Sequence, residues 1–218
     1  MFFRTCTRAE CDLPSLAFQL SPVFGSHNNA SSFFSQKGQN AQTLVDILQA
    51  ILMRSKIDAR SQRMARYAMI HLAANSSRYP QCLNLRNVTW GTSRMFARGK
   101  FADIYKGNIK AKPDVQLAVK VFRMHQTFGF EKPLKYLARE ATVWGQLRHP
   151  NILPFYGVLQ QGATLSLASP YLKYGQVRHY LEIHPSTNRA LLVRAFASRF
   201  DAVYVSLLCS RRWMLRKR

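Results

Sequence analysis

The sequence predicts an α+β fold, with helices gathered before residue 90, then five strand-forming runs and one long helix between the third and fourth. Three observations carry this. Apolar residues recur at helical spacing from residue 40 to about 72. From about Met95 the chain turns to β-type runs punctuated by glycine-containing turns. Between "QLAVKVFRM" and "NILPFYGVL" stands "PLKYLAREATVWGQLRH", whose apolar positions return to the helical period.

Residues 1–38, rich in Ser, Asn, Phe and Gly, read as a flexible leader without helical or strand period. From Asn40, Leu44, Val45, Leu48, Ile51 and Leu52 mark a helix, with Asn40 as its cap and Asp46 near its positive end. A second helix starts after Asp58, with Met64, Ala68, His71 and Leu72 toward one side and Arg60, Arg63 and Arg66 mainly elsewhere. A hairpin this small buries little alone, so it must dock on the strand-rich region C-terminal to it. Pro80 ends it, and "RYPQCLNLRNV" becomes extended. "MFARGKFADIYKGNIK" is a strand, turn and strand, and "QLAVKVFRM" is the third strand. Pro133 opens a helix running to about Arg148. "NILPFYGVL" and "ATLSLASPYL" are two further strands, and "QVRHYLEI" is a short helix.

Composition bounds the function. The 218 residues suffice for one sizeable domain or a domain with appendages, and 47% apolar residues suit a folded core. The net charge of +22 attracts anionic partners without specificity. Its densest run is the tail, where Arg189, Arg194, Arg199, Arg211, Arg212, Arg216, Lys217 and Arg218 meet only Asp201. The usual nucleic-acid modules are missing, so no specific nucleic-acid partner is expected. The four cysteines have no zinc-finger spacing and read as free thiols. "MFFRTCTRAECDLP" lacks the apolar core of a signal peptide, and "AVYVSLLC" is too short to span a bilayer. The expectation is a cytoplasmic protein without a membrane partner.

The chemistry centres on one lysine. Strand alternation puts Ala118, Lys120 and Phe122 on one face and Leu117, Val119 and Val121 on the other. A charge in such a run needs a partner. A small residue beside a fixed cation leaves a slot for a flat ring with an anionic extension. The competing reading is a lysine whose stem packs while its head reaches water. In the next helix Leu137, Glu140, Trp144 and Leu147 form one stripe, so Glu140 sits on an apolar face. Lys120 is its nearest strand partner; Lys132, Lys135 and Arg148 are the surface alternatives. In "ARGKFADIY", Gly99 permits close approach of backbone to an anion and Lys100 adds charge, although one glycine also suits a plain hairpin turn.

Read together, "FARGKFADIYKG", "LAVKVF", "LAREATVWGQLRHPNILPFYGV" and "LSLASPYLKYGQVRHYL" resemble the N-terminal lobe of a eukaryotic protein kinase. The pattern is closest to the tyrosine-kinase-like group, in particular the kinase families of mushroom-forming fungi. The resemblance implies a five-stranded antiparallel sheet with one main helix over 91–193, with the start of the second lobe. The helical segment 39–90 would precede it and a basic tail, 194–218, would be unstructured or foreign to the family. It implies that Lys120 holds the α- and β-phosphates of ATP and that Glu140 is its helix partner. Ala118 would touch adenine and Ile104 would roof it. Gly99 and Lys100 would cover the phosphates. Ser169 would back the adenine pocket, and Pro170, Tyr171 and Leu172 would form the hinge.

Departures from the family pattern shape the functional expectation. Ala97 and Ala102 replace the outer two loop glycines, which predicts weak ATP affinity. No His-Arg-Asp, His-Gly-Asp, Asp-Phe-Gly or Ala-Pro-Glu occurs in these 218 residues. Mg²⁺ is therefore expected only with the missing lobe. The leading expectation is a Ser/Thr or dual-specificity kinase truncated before its catalytic loop and inactive as it stands. The alternatives are a non-catalytic interaction module, docking on a protein substrate or a full-length kinase, and a nucleic-acid binder acting through the tail.

Overall fold

A computed structural model describes residues 26–53, 57–98, 102–110, 112–123, 131–162, 164–175 and 177–194. Its first element lies inside the expected leader. Helix α1, His27–Ser35, forms where composition predicts no structure. Tertiary packing overrides local propensity there: Phe33 and Phe34 pack on the apolar cluster of the next two helices, and Phe34 meets Tyr67 and His71 at ring-centroid distances of 6.0 and 5.8 Å. Residues 1–25 lie outside the described residues.

Helices α2, Gly38–Leu52, and α3, Ala59–Ser76, form a hairpin around Val45, Leu48, Ile51, Ala65, Ala68, Met69 and Leu72. The start of α2 differs from expectation. Its cap position is Lys37, and Asn40 already lies within the helix, donating to Gln36 Oε1 at 3.4 Å. Asp58 caps α3, its Oδ1 accepting the N–H groups of Arg60 and Ser61 at 2.9 Å each. A single 3₁₀ turn, Gln81–Leu83, leads to the sheet.

The sheet has five antiparallel strands: β1 Val88–Arg98, β2 Ala102–Ile109, β3 Lys112–Phe122, β4 Gly157–Gln161 and β5 Thr164–Pro170. Their spatial order is β1-β2-β3-β5-β4. Helix α4, Glu131–Gly145, begins two residues before Pro133 and ends three short of Arg148. The run "NILPFYGVL" is strand only from Gly157, and α5 spans Val177–Ile183.

Two apolar layers flank the sheet. On one face Phe122, Val158 and Leu167 pack with Leu137 and Ala141 of α4. On the other, Leu117, Val119 and Ala168 pack with Leu85, just before β1, and with Val88 and Trp90 at its start. Leu85 N–H donates to Val158 O at 2.8 Å, and Asn84 bridges Val158, so this segment is tied to the edge strand β4. Among the described residues no helix is long and apolar enough to cross a membrane. Residues 195–218, most of the expected basic tail, lie outside the described residues.

Candidate functional site

The face carrying α4 also carries Lys120. Register across the sheet sets Ile104 opposite Lys120 and Lys120 opposite Leu167; one step along, Lys106 and Ser169 flank Ala118. Antiparallel partners share a face, so Ile104, Ala118, Lys120 and Ser169 line one continuous surface. Helix α4 covers the end of it near Phe122, and the end near Ala118 is more open.

Lys120 Nζ donates to Glu140 Oε1 at 2.6 Å. The pair forms as the apolar stripe on α4 predicts. Both side chains stay about one-third exposed, 34% and 36%. Each ion is thus held by the other while part of it still reaches solvent. Lys120 Nζ also lies 5.1 Å from the Phe122 ring centroid, which fixes the lysine head near the strand end. Trp144, one turn beyond Glu140, donates Nε1–H to Leu153 O at 2.8 Å and stacks on Phe155 at 5.1 Å. That anchors the helix in rotation, and with it the direction of Glu140.

At the end of β5 the chain leaves the sheet through Pro170, Tyr171 and Leu172. Pro170 pairs with Leu117, Tyr171 N–H donates to Gln116 O at 3.1 Å, and Leu172 is exposed. Ser169 is buried behind this segment. The turn after α4 is closed by Asn151 N–H donating to His149 Nδ1 at 3.1 Å. Gly99 and Lys100 lie outside the described residues.

Two clusters escape a reading of the sequence alone. The first is Phe96, Lys106 and Tyr171. The β1–β2 register slips between Met95 and Ala97, leaving Phe96 without a partner opposite. Its ring meets Tyr171 edge-on at 5.2 Å, and Lys106 Nζ lies 4.2 Å from the Tyr171 centroid. Together they border the open end of the Ala118 face. The second is Asp103, which alternation sends to the opposite face. It is buried there between Arg98 Nε, 3.6 Å from Oδ1, and Arg123 Nε, 3.5 Å from Oδ2. The bulge could be suspected only from the apolar Met95–Phe96 pair, and the triad from charges that fall near one another only once the strands pair.

The carboxylates decide what the face can hold. Glu140 is engaged by Lys120, and Asp103 is engaged by two arginines behind the sheet. The described residues therefore present cations and an apolar slot, a donor set that suits a phosphorylated ring compound. They do not form the oxygen-rich cage that Mg²⁺ requires.

A five-stranded antiparallel sheet, with a strand lysine paired to the carboxylate of a packed helix, is the architecture of a protein-kinase N-terminal lobe. The chain belongs to the protein tyrosine and serine/threonine kinase family, whose sequence pattern matches residues 91–203. The match runs past residue 193, into the segment expected to be foreign to the family. The chain is 29% identical to ephrin type-A receptor 7 of Gallus gallus over 93 residues, 42% of this chain and 9% of that protein. It is 27% identical to ephrin type-B receptor 1-A of Xenopus laevis over 85 residues, 38% of this chain and 8% of that protein. The chain thus spans less than a tenth of the length of these relatives.

Proposed function

We propose that the face around Lys120 binds ATP. Lys120 holds the α- and β-phosphates, Glu140 keeps the lysine head in position, and Gly99 with Lys100 covers the phosphates. Ala118 and Ile104 border the adenine ring, Ser169 lies behind it, and the backbone of Pro170, Tyr171 and Leu172 hydrogen-bonds its edge. The observation that carries this reading is the 2.6 Å Lys120–Glu140 pair on a face left partly open to solvent. A purely structural pair would be better covered.

The affinity is weak, because Ala97 and Ala102 crowd a phosphate cover that glycines would leave open. The protein descends from Ser/Thr or dual-specificity kinases of the tyrosine-kinase-like group in mushroom-forming fungi, and acts in the cytoplasm. These 218 residues do not transfer phosphate, because positioning and metal charge supply most of the rate in this chemistry and no catalytic-loop or metal-binding motif occurs.

A nucleotide titration tests the binding. Saturable binding of ATP, lost in Lys120→Met, is the expected result, and no binding at millimolar ATP overturns the reading. A micromolar dissociation constant overturns the weak-affinity part alone. A radiolabel assay showing turnover above the Lys120→Met background overturns the inactivity.

A second reading draws on exposed apolar side chains at Leu172, Val177, Ile183, Leu191 and Val193. Such a surface suits a non-catalytic interaction module docking on a kinase or its substrate. Co-purification of a defined partner, against self-association alone, separates the two outcomes.

A further inference from the structure

Helix α4 is packed on two sides. The sheet holds Leu137 and Ala141, and helix α3 packs against the helix from another direction. His71 of α3 lies close enough to Arg139 for the guanidinium to act on its imidazole, and Ser76 and Ser77 border the same cleft as Leu134. Ala138 and Thr142, one turn apart and both fully buried, lie on a helix stripe beside the one that holds Leu137 and Ala141.

The far end of α4 is held by α2. Gln146 Nε2 donates to Gln49 Oε1 at 2.7 Å, and Gln49 is itself a buried polar residue. Leu83 presses on the last residue of the helix: a Cβ at Gly145 would lie 3.2 Å from Leu83 Cδ2. The hairpin is in turn tied to the lobe. Gln42 Nε2 donates to Tyr79 O at 3.0 Å, Asp46 Oδ1 accepts Gln81 N–H at 2.8 Å, and the same segment hydrogen-bonds β4 through Leu85.

We propose that the α2–α3 hairpin is a built-in brace that holds Glu140 against Lys120, with Gln49 and Gln146 as its positioning residues. A part-exposed ion pair is too weak to fix a helix by itself. The helix is set instead by the surfaces on its other sides, and the hairpin supplies one of them. Loosening the Gln49–Gln146 contact frees the C-terminal end of α4, and Glu140 swings with it. The hairpin therefore decides how much of the time Lys120 has its carboxylate partner.

The test uses the whole 218-residue chain and needs no nucleotide, so failure of ATP binding leaves it interpretable. Amide hydrogen exchange is followed in wild type, Gln49→Ala, Gln146→Ala and the similarly sized Gln146→Met, which removes the amide donor with little change of volume. The α4 amides should exchange about two- to tenfold faster in each variant, while β3 and β5 amides hold their rates. A denaturation cycle crosses Gln49→Ala with Lys120→Met. These residues share no contact, so a merely structural glutamine gives additive losses. The brace predicts that Lys120→Met has a smaller effect once Gln49 is removed. Additive losses, or exchange that accelerates equally across helix and sheet, overturn the proposal. If the alanine variants fail to fold, the exchange pattern of Gln146→Met decides alone.

Discussion

Replacing Lys120 by methionine separates a ligand-facing lysine from a structural one. Methionine keeps most of the apolar stem and removes the charge. The ion pair it breaks has an N–O distance of 2.6 Å, but both side chains are about one-third exposed. Solvent therefore screens the pair, and its loss should lower stability by only about 0.5–1 kcal/mol. The Phe122 ring, 5.1 Å from Nζ, adds about 0.5 kcal/mol. Together these shift the thermal midpoint by roughly 2–6 °C for a chain of this size. ATP binding should suffer far more. A charge-assisted contact to phosphate contributes about 1.5–3 kcal/mol, so affinity should fall roughly 10- to 100-fold. Chemical denaturation and nucleotide titration of the same two proteins give both numbers. A fully buried structural pair behaves oppositely: removing one partner strands the other and destabilises by about 3–5 kcal/mol. A stability loss in that range, with nucleotide affinity unchanged, would refute the reasoning.

Two further outcomes rest on the geometry. Gly157 has φ +146°, and a Cβ there would lie 2.4 Å from Leu83 O, whereas Gly162 has φ +57° with nothing within 4 Å of its Cβ. Gly157→Ala should therefore destabilise by about 2–5 kcal/mol and Gly162→Ala by only about 1 kcal/mol, so comparable urea midpoints would contradict the close approach of the 80s segment to β4. Burial, and secondarily the Arg139 guanidinium, push the His71 pKa below its ordinary value of about 6.5. The unfolded chain then takes up a proton first, so His71 contributes stability above about pH 6.5 that is lost as pH falls through its folded value. Urea midpoints should decline with acidification in wild type and less so in His71→Gln; parallel declines would remove His71 as the cause.

Much of the site was legible because strand and helix periods are simple. Alternation alone put Ala118 and Lys120 on one face, and the 3.6-residue period alone put Glu140 on the packed stripe of α4. What failed was whatever depends on a distant partner. Helix α1 forms because Phe33 and Phe34 find a hairpin surface, and nothing within "HNNASSFFS" announces that surface. Asn40 resembles a cap, yet helix α2 starts earlier, where Lys37 Nζ donates to Asn75 O at the far end of α3. Phe96 gains its place from a register slip, and Asp103 from two arginines, one across the β1–β2 turn and one just beyond the end of β3.

Two acids of the lobe, Asp103 and Glu140, sharpen the functional argument together beyond either one alone. Asp103 and Ile104 are neighbours in sequence, yet alternation sends one behind the sheet and the other to the Lys120 face. Had the register been shifted by one residue, Asp103 would stand beside Lys120 and compete with Glu140 for it. Instead, Arg98 and Arg123 neutralise Asp103 on the far side and tie β1 to the end of β3. The carboxylate paired with Lys120 is that of Glu140, and it is committed to the lysine. That balance favours an incoming anion over an incoming metal. On that arrangement rests the proposal that Lys120 receives a phosphate.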